Sequence, residues 1–304
     1  MSDLSVALGA KLTLANPILT ASGTFGYGDE LSDLLDLEQF GGIVTKSLSL
    51  KPREGNPPPR IVETPAGMIN SIGLANLGLD RFLDEKAAFL GQLKSTVIVN
   101  VAGREQAEYI EVVRRLQSMP WIAGFEINVS CPNVKQGGIE FGVNPELLGD
   151  LVSSLRDQTN KFLMIKLSPN VNDIRPLAEC VQRKGADAVS MINTLYGSAI
   201  DIYSRRPKIH TVFGGLSGPA IKPVAIAHII KAARVIDIPI IGIGGIQDGA
   251  DVVEFLLAGA SAVQLGTVNF FDPTAITGIL AFLRKYCRDQ KIASIREIVG
   301  RVIV

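Results

Sequence analysis

The sequence contains little cysteine, histidine or tryptophan. Only three cysteines, two histidines and one tryptophan occur among 304 residues, and the cysteines at 131, 180 and 287 form no CxxC pair. Sparse, scattered cysteines argue against a disulfide framework and against a zinc or iron–sulfur site built by this chain alone. They are typical of a reducing compartment, so we expect a cytoplasmic protein.

An excess of charge and a long apolar run are also missing. Lys and Arg together number 30, as do Asp and Glu, and no basic block indicates nucleic-acid binding. The most apolar stretch, residues 224–243, is interrupted by charged and polar side chains, so it does not predict a membrane span. Residues 1–23 lack the basic and apolar regions of a signal peptide.

The sequence does contain short apolar runs that alternate with helical patterns. The runs are nearly continuous, as expected for parallel strands buried on both faces. They lie at about 18–23, 43–48, 97–102, 125–129, 163–168, 187–193, 239–244 and 261–266. Helix starts are predicted at Asn144-Pro145, Asp173, Pro219, Asp248 and Asp272-Pro273. This pattern predicts an α/β fold, a (β/α)8 TIM barrel that forms one domain over residues 1–304, with a doubly wound open sheet as the alternative.

Two connections, residues 49–75 and 194–218, are too long for simple turns. Long loops inside a compact domain are usually functional. Both leave the carboxyl ends of predicted strands, which is the face where barrel enzymes bind their substrates. We therefore expect long loops at the C-terminal face to form part of a site.

Polar side chains stand at the ends of five predicted strands. They are Lys46-Ser47, Asn100, Asn128, Lys166 and Asn193-Thr194. Any one of them could be a satisfied structural group, because a buried polar residue is costly only when it is unpaired. Together, at corresponding positions, they predict one site for a polar ligand.

Glycines follow the last two strands, in Gly244-Gly245 and Gly266-Thr267. Exposed backbone amides before a helix bind phosphate, and the phosphate site of TIM barrels follows strands seven and eight. A single glycine element of this kind could instead serve a turn. At this location the two glycine elements together predict a phosphate site.

Cys131 is the candidate general base, because it lies in a loop after strand four at the polar end of the barrel. A thiol already ionises slightly at neutral pH, so modest tuning makes it usable as a base. Cys180, within a helix, and Cys287, near a helix end, are interpreted as inert. His228 lies within a predicted helix and His210 in a long loop, so both are poorer candidates.

Several motifs resemble those of one enzyme family. They are Thr45-Lys46-Ser47, Pro52 to Pro57, Asn70 to Leu74, Asn128 to Asn133, Lys166 to Pro169, Gly214 to Gly218, and the two glycine elements Gly244-Gly245 and Gly266-Thr267. Over about residues 16–272 they resemble class 1 dihydroorotate dehydrogenases, with cysteine at 131 where the class 2 enzymes have serine. The stretch from Ile192 to Asp201 resembles the B type, whose catalytic subunit passes electrons to a second subunit.

The resemblance implies oxidation of (S)-dihydroorotate to orotate in de novo pyrimidine (UMP) biosynthesis, with Cys131 as base and one FMN per chain. It implies substrate contacts from Lys46, Asn70, Ser71, Ile72, Gly73, Leu74, Asn128, Asn133, Asn193 and Thr194. It implies FMN contacts from Ser22, Lys46, Ser47, Asn100, Asn128, Lys166, Ile192, Gly218, Gly244, Gly245, Gly266 and Thr267. A partner subunit would carry FAD and a 2Fe–2S cluster and reduce NAD, with a homodimer of this chain inside a heterotetramer.

Two alternatives, one enzymatic and one not, stay open from sequence. One is a pyrimidine reductase of the dihydropyrimidine dehydrogenase kind, which shares the barrel, FMN and the cysteine. The other is a non-catalytic barrel that binds flavin or a phosphate ligand. The family pattern also leads us to expect methionine at 198 and asparagine near 213, whereas the chain has Ser198 and the unusual run from His210 to Phe213.

Overall fold

Eight parallel strands form the centre of the molecule in a computed structural model, which describes residues 2–130, 132–133 and 139–303. In chain order they are β1 (Ile18–Thr20), β2 (Gly42–Val44), β3 (Thr96–Val101), β4 (Ile122–Asn128), β5 (Phe162–Lys166), β6 (Ala188–Met191), β7 (Ile240–Ile243) and β8 (Ala262–Leu265). Each strand overlaps one of the eight apolar runs in the sequence, so the strand predictions are confirmed.

The sheet closes on itself. Strand neighbours follow chain order, and β8 pairs with β1 through Val263 and Ile18. Every residue of β5 to β8 is buried, which explains why their sequences are mostly apolar, with Lys166, Ser190 and Gln264 as the polar exceptions. The (β/α)8 barrel is therefore confirmed, and the open-sheet alternative is wrong.

Helices surround the strands. Within the described residues they are α1 (Leu79–Glu85), α2 (Ala87–Leu90), α3 (Gln106–Leu116), α4 (Pro145–Arg156), α5 (Arg175–Arg183), α6 (Lys222–Ala232), α7 (Gly249–Ala258) and α8 (Ala275–Asp289). Between β1 and β2 the chain forms two short 3-10 turns, Asp29–Leu31 and Leu37–Gln39, instead of an α-helix. Each long helix buries one apolar stripe, which in α5 consists of Leu177, Ala178, Cys180 and Val181.

The observed helices begin within three residues of the predicted starts. Asn144 and Asp248 cap α4 and α7, since each side chain accepts hydrogen bonds from two backbone amides of the first turn. Pro219 opens a 3-10 turn, and α6 begins three residues later at Lys222. The helix expected after Asp272 begins at Ala275, because the Asp272 carboxylate accepts from the Thr274 amide in a preceding turn.

The two long connections pair with each other. Strands Ile61–Thr64 and Gly67–Asn70 from the first join Leu195–Gly197 and Gly214–Ser217 from the second in one antiparallel sheet. We call these four strands the rim sheet. Within it, Asn70 pairs with Gly215 and Ile69 with Leu216. What the sequence presents as two separate loops is therefore one structural unit at the carboxyl ends of the barrel strands.

Three smaller hairpins complete the described structure. Val6–Leu8 pairs with Leu12–Leu14 ahead of β1, Pro132–Asn133 pairs with Ile139–Glu140, and Ile200–Asp201 pairs with Arg206–Pro207. Across the described ranges, no helix combines the length and apolar character needed to cross a membrane.

Removing the α7 cap should weaken the fold measurably. Asp248→Ala deletes the acceptor of two hydrogen bonds, from the amides of Ala250 at 2.9 Å and Asp251 at 3.0 Å. We expect the free energy of unfolding to fall by about 1 kcal/mol, the usual cost of losing such a cap. Urea denaturation measures the change, with Asp33→Ala as the control at an exposed aspartate. Equal losses in both variants would contradict the cap.

Candidate active site

A cavity of about 370 Å³ opens at the carboxyl ends of the barrel strands, beneath the rim sheet. Its walls come from residues that follow the strands and from the two long connections. Of the site residues predicted from sequence whose side chains the structure describes, all but Asn100 line it. These are Ser22, Lys46, Ser47, Asn70, Ser71, Ile72, Gly73, Leu74, Asn128, Lys166, Ile192, Asn193, Thr194, Gly218, Gly244, Gly245, Gly266 and Thr267.

Two lysines give the cavity a positive character. Lys166, at the end of β5, is only 5% exposed, and its Nζ donates to Ser22 Oγ at 3.3 Å. Lys46, which follows β2, is half-buried. Neither lysine forms an ion pair within the described part of the chain, and no aspartate or glutamate is among the described lining residues. Because a buried cation without a counter-charge is costly, the cavity is suited to an anionic ligand.

A group of amide and hydroxyl side chains lies between β4 and β6. Asn193 Nδ2 donates to Asn128 Oδ1 at 3.3 Å and to Ser130 Oγ at 3.0 Å, while Asn193 Oδ1 accepts from the Thr194 amide at 2.8 Å. The Tyr109 hydroxyl donates to the Asn128 carbonyl at 2.8 Å. These contacts hold two asparagine amides at the wall of the cavity, where they can both donate to and accept from a ligand.

Two glycine-containing segments, at Gly218 and at Gly244–Gly245, meet at the wall of the cavity. Gly218, Gly244 and Gly245 have φ angles of 96°, 121° and 79°, in the region that favours glycine. A Cβ at Gly245 would lie 2.8 Å from Lys222 Cβ and 2.9 Å from the Gly218 carbonyl oxygen. Gly266 and Thr267 line the same cavity. A concave backbone surface of this kind is suited to phosphate.

Asn100 differs from the other predicted residues because it does not line the cavity. It is fully buried on β3, and its Nδ2 donates to Glu126 Oε2 at 2.6 Å. Its Oδ1 has no hydrogen-bond partner within the described residues. Cys131 lies outside the described residues, and Asn133 is described only by its backbone pairing with Ile139.

Comparison with known proteins identifies the family. The family profile described as "Dihydroorotate dehydrogenase" matches residues 5–286. The chain belongs to the dihydroorotate dehydrogenase family. It is 51% identical to a protein of Geotalea uraniireducens over 99% of this chain and 98% of that one. It is 52% identical to a protein of Geobacter sulfurreducens over 99% of each. Both relatives are named "Dihydroorotate dehydrogenase B (NAD(+)), catalytic subunit".

The fold is shared with a solved structure. The crystal structure of DHODH from Eimeria tenella in complex with ferulenol superposes with a TM-score of 0.80, at 22% identity, over 98% of this chain and 88% of that chain. At this identity the likeness concerns the barrel fold, which agrees with the closed eight-stranded sheet described above.

Sequence reasoning missed other residues of this dihydroorotate dehydrogenase cavity. They are Ala21, Gly23, Thr24, Ile61, Met68, Ala75, Ser217, Ile221, Ile243 and Phe270. Ile61, Met68 and Ser217 belong to the rim sheet, so their position depends on strand pairing between the two long connections. Ser217 lies within the family motif from Gly214 to Gly218, which could have identified it. Phe270 follows Gly266-Thr267 by three residues, so its proximity to that element could have identified it.

The two histidines, His210 and His228, which the sequence made poorer candidates for the base, do not line the cavity in the described structure. His228 is in α6, as predicted, and burial lowers its pKa below the ordinary range. Within the described residues, no group of three or more histidine, cysteine or acidic side chains could hold a metal ion.

The glycine surface gives a direct test of ligand binding. Gly245→Ala places a methyl group against Lys222 Cβ and the Gly218 carbonyl, so the backbone must shift. We expect the affinity for FMN, the phosphate ligand that the resemblance implies, to fall about tenfold or more, equivalent to at least about 1.4 kcal/mol. Fluorescence titration of the flavin-free protein measures this affinity.

Gly278→Ala is the matched control, since a Cβ at this position in α8 meets no atom within 4 Å. It should leave FMN affinity unchanged and stabilise the helix slightly. If Gly245→Ala bound FMN as tightly as this control, the phosphate assignment would be wrong.

Proposed function

We propose that this chain catalyses the FMN-dependent oxidation of (S)-dihydroorotate to orotate, a step of pyrimidine biosynthesis, in the cytoplasm. The observation that carries the proposal is the pair of lysines, Lys46 and Lys166, which have no ion pair within the described residues and line a cavity without a described acidic group. The substrate is a carboxylate and FMN carries a phosphate, so both ligands match this charge. Membership of the family supports the same reaction.

The residues present fit FMN. The glycine segments at 218, 244–245 and 266–267 would hold its phosphate through backbone amides. Asn100 is included as an FMN contact on sequence grounds, and its buried Oδ1, without a partner in the described residues, is an acceptor beside the cavity lining rather than within it. When bound, FMN would supply the acceptor for the hydride from C6 of the substrate. Lys166 would supply positive charge that favours negative charge on the reduced flavin.

Substrate recognition would fall to the other side of the cavity. Lys46 supplies charge for the carboxylate, and the amides of Asn70, Asn128 and Asn193 can bind both donors and acceptors of the cyclic imide. Thr194 and the backbone of residues 71–74 complete this set. Asn133 is included on sequence grounds alone.

Cys131 is the proposed base that removes the proton from C5 of the substrate. Its place in the motif from Asn128 to Asn133 and the absence of a described histidine from the cavity wall support this role. Ser130, the residue before it, is held through its hydroxyl by Asn193 Nδ2. This bond holds Ser130 beside Asn193 near the end of β4.

Electrons would leave through a protein partner. The relatives' names contain "catalytic subunit" and "NAD(+)", which supports a second subunit that carries FAD and a 2Fe–2S cluster and reduces NAD. Exposed apolar side chains on the second long connection support a protein contact: Ile202 is 76%, Tyr203 90% and Phe213 65% exposed. We propose a homodimer of this chain within a heterotetramer.

Replacing Cys131 should remove the base and leave binding intact. Cys131→Ala is expected to retain FMN and orotate but to lose flavin reduction by dihydroorotate by about 10²-fold or more, the usual scale of general-base catalysis. Cys131→Ser should retain part of the rate and recover with rising pH. Anaerobic stopped-flow absorbance measures the rate of reduction.

Cys287→Ala serves as the control cysteine variant. Burial raises the pKa of the Cys287 thiol above its ordinary value, so this group stays protonated at neutral pH and is inert. Its removal should leave the rate unchanged. Near-normal reduction in Cys131→Ala at neutral pH would refute the proposed base.

The partner proposal predicts which acceptors the isolated chain can use. Purified alone, it should reduce dyes with dihydroorotate but not NAD, because its three cysteines are scattered and a 2Fe–2S cluster usually takes four cysteine ligands. Co-expression with an electron-transfer subunit should give a complex that reduces NAD. Absorbance at the NADH band measures this, and dye reduction by both preparations is the control. Full-speed turnover of the isolated chain with NAD or fumarate would contradict the B-type assignment.

A further inference from the structure

The segment from Asn70 to Leu74 lines the cavity without regular structure beyond its first residue. Asn70 ends a strand of the rim sheet, and the next helix, α1, begins only at Leu79. Gly73 and Leu74 both have positive φ angles, of 74° and 59°. The left-handed conformation is unfavourable for leucine, so contacts from elsewhere must hold it.

One side chain supplies such contacts. Asn76 Nδ2 donates to the Leu74 carbonyl at 2.7 Å and to Ser49 Oγ at 2.8 Å. Asn76 Oδ1 accepts from the Gly78 amide at 2.9 Å and from the Ser49 amide at 3.2 Å. An asparagine amide has two N–H donors and two acceptor lone pairs, so these four bonds use its full capacity. The orientation of the amide is therefore fixed.

Ser49 connects this amide to the barrel. It is 1% exposed and follows Leu48, whose amide donates to the Asn100 carbonyl at 2.8 Å at the end of β3. The Ser49 hydroxyl donates in turn to the Lys51 carbonyl at 2.8 Å. The backbones of Asn76 and Arg53 also pair, at 2.9 and 3.0 Å. The Asn76 side chain thus links the Leu74 carbonyl to Ser49, while the Asn76 backbone is held by Arg53.

We propose that Asn76 is a positioning residue for substrate binding: it holds Leu74 in its left-handed conformation and so sets the geometry of the Asn70–Leu74 segment. The inference rests on the proposed function, because it takes this segment as part of the dihydroorotate site. Asn76 itself is not among the cavity-lining residues, so its effect on the ligand is indirect. The other end of the segment is fixed separately, since Asn56 Nδ2 donates to the Ser71 carbonyl at 2.9 Å.

The test compares two asparagines in the FMN-loaded protein. Asn76→Ala should raise the dissociation constant for orotate about tenfold or more, equivalent to at least about 1.4 kcal/mol. The KM for dihydroorotate should rise by a similar factor, with a smaller change in kcat and one FMN retained per chain. Calorimetric titration with orotate gives the affinity, and steady-state dye reduction separates KM from kcat.

Asn16→Ala is the matched control. Asn16 is 8% exposed, and its side chain makes two backbone hydrogen bonds, to the Gln39 carbonyl at 2.9 Å and from the Ile18 amide at 3.0 Å. It precedes β1, at the opposite end of the barrel from the cavity. It should lower the melting temperature while leaving orotate affinity unchanged. Ser49→Ala removes the hydroxyl that contacts the Asn76 amide and the Lys51 carbonyl, and it should weaken orotate binding in the same direction but less, even where Asn76→Ala folds poorly.

The outcomes separate this inference from the proposed function. Wild-type protein that fails to bind orotate would overturn both. If the wild type binds orotate and Asn76→Ala binds it within twofold as tightly, the positioning role alone is wrong. Loss of FMN together with orotate, or equal loss of orotate affinity in Asn16→Ala, would also overturn the role, because either result indicates general destabilisation.

Discussion

Closure of the parallel sheet is the constraint on which the rest of the structure depends. Because β8 pairs with β1 and every strand runs the same way, all eight carboxyl ends meet at one rim. Residues far apart in sequence become neighbours there. Ser22 and Lys166, 144 positions apart, form a hydrogen bond at 3.3 Å. Removing one strand from the ring would separate the lysines, the amides and the glycine segments that together form the cavity.

A polar layer lies one pleat below this cavity. Glu126 and Asn128 alternate with Ile127 on β4, so they face the same side of the sheet. Glu126 is fully buried and accepts from Asn100 at 2.6 Å, Gln264 at 2.6 Å and Ser190 at 2.8 Å. Burial of a carboxylate is costly, and these three neutral donors offset part of that cost. The same bond directs the Asn100 amide nitrogen toward Glu126 and leaves its oxygen unpartnered.

The barrel strands were predictable because strands buried on both faces have a simple sequence pattern, a short and nearly continuous apolar run. The caps at Asn144 and Asp248 were predictable because a single side chain performs that role locally. The lysines and amides at strand ends were predictable because barrel topology places those ends together. In each of these cases a local pattern and one general rule about closed parallel sheets are sufficient.

The rim sheet has no local sequence pattern of this kind. Its strands join residues about 145 positions apart, such as Asn70 and Gly215, and one of them begins with two glycines, which have low strand propensity. Met68 and Ile61 line the cavity only because this pairing forms, so neither had a local signal. The role of Asn76 was equally hidden, since it depends on Ser49 lying beside it after the two segments meet.

The two departures from the family pattern are in contact with each other. The Ser198 hydroxyl donates to the Val212 carbonyl at 2.6 Å, and Val212 has a φ of 67°, which is unusual for a β-branched residue. A serine at 198 is short enough to form this bond, so the unusual residue at one position supports the unusual conformation at the other. Neither residue lines the cavity, and Phe213 beside them is exposed. The departures therefore lie on the outer part of the second long connection, away from the described residues that line the cavity.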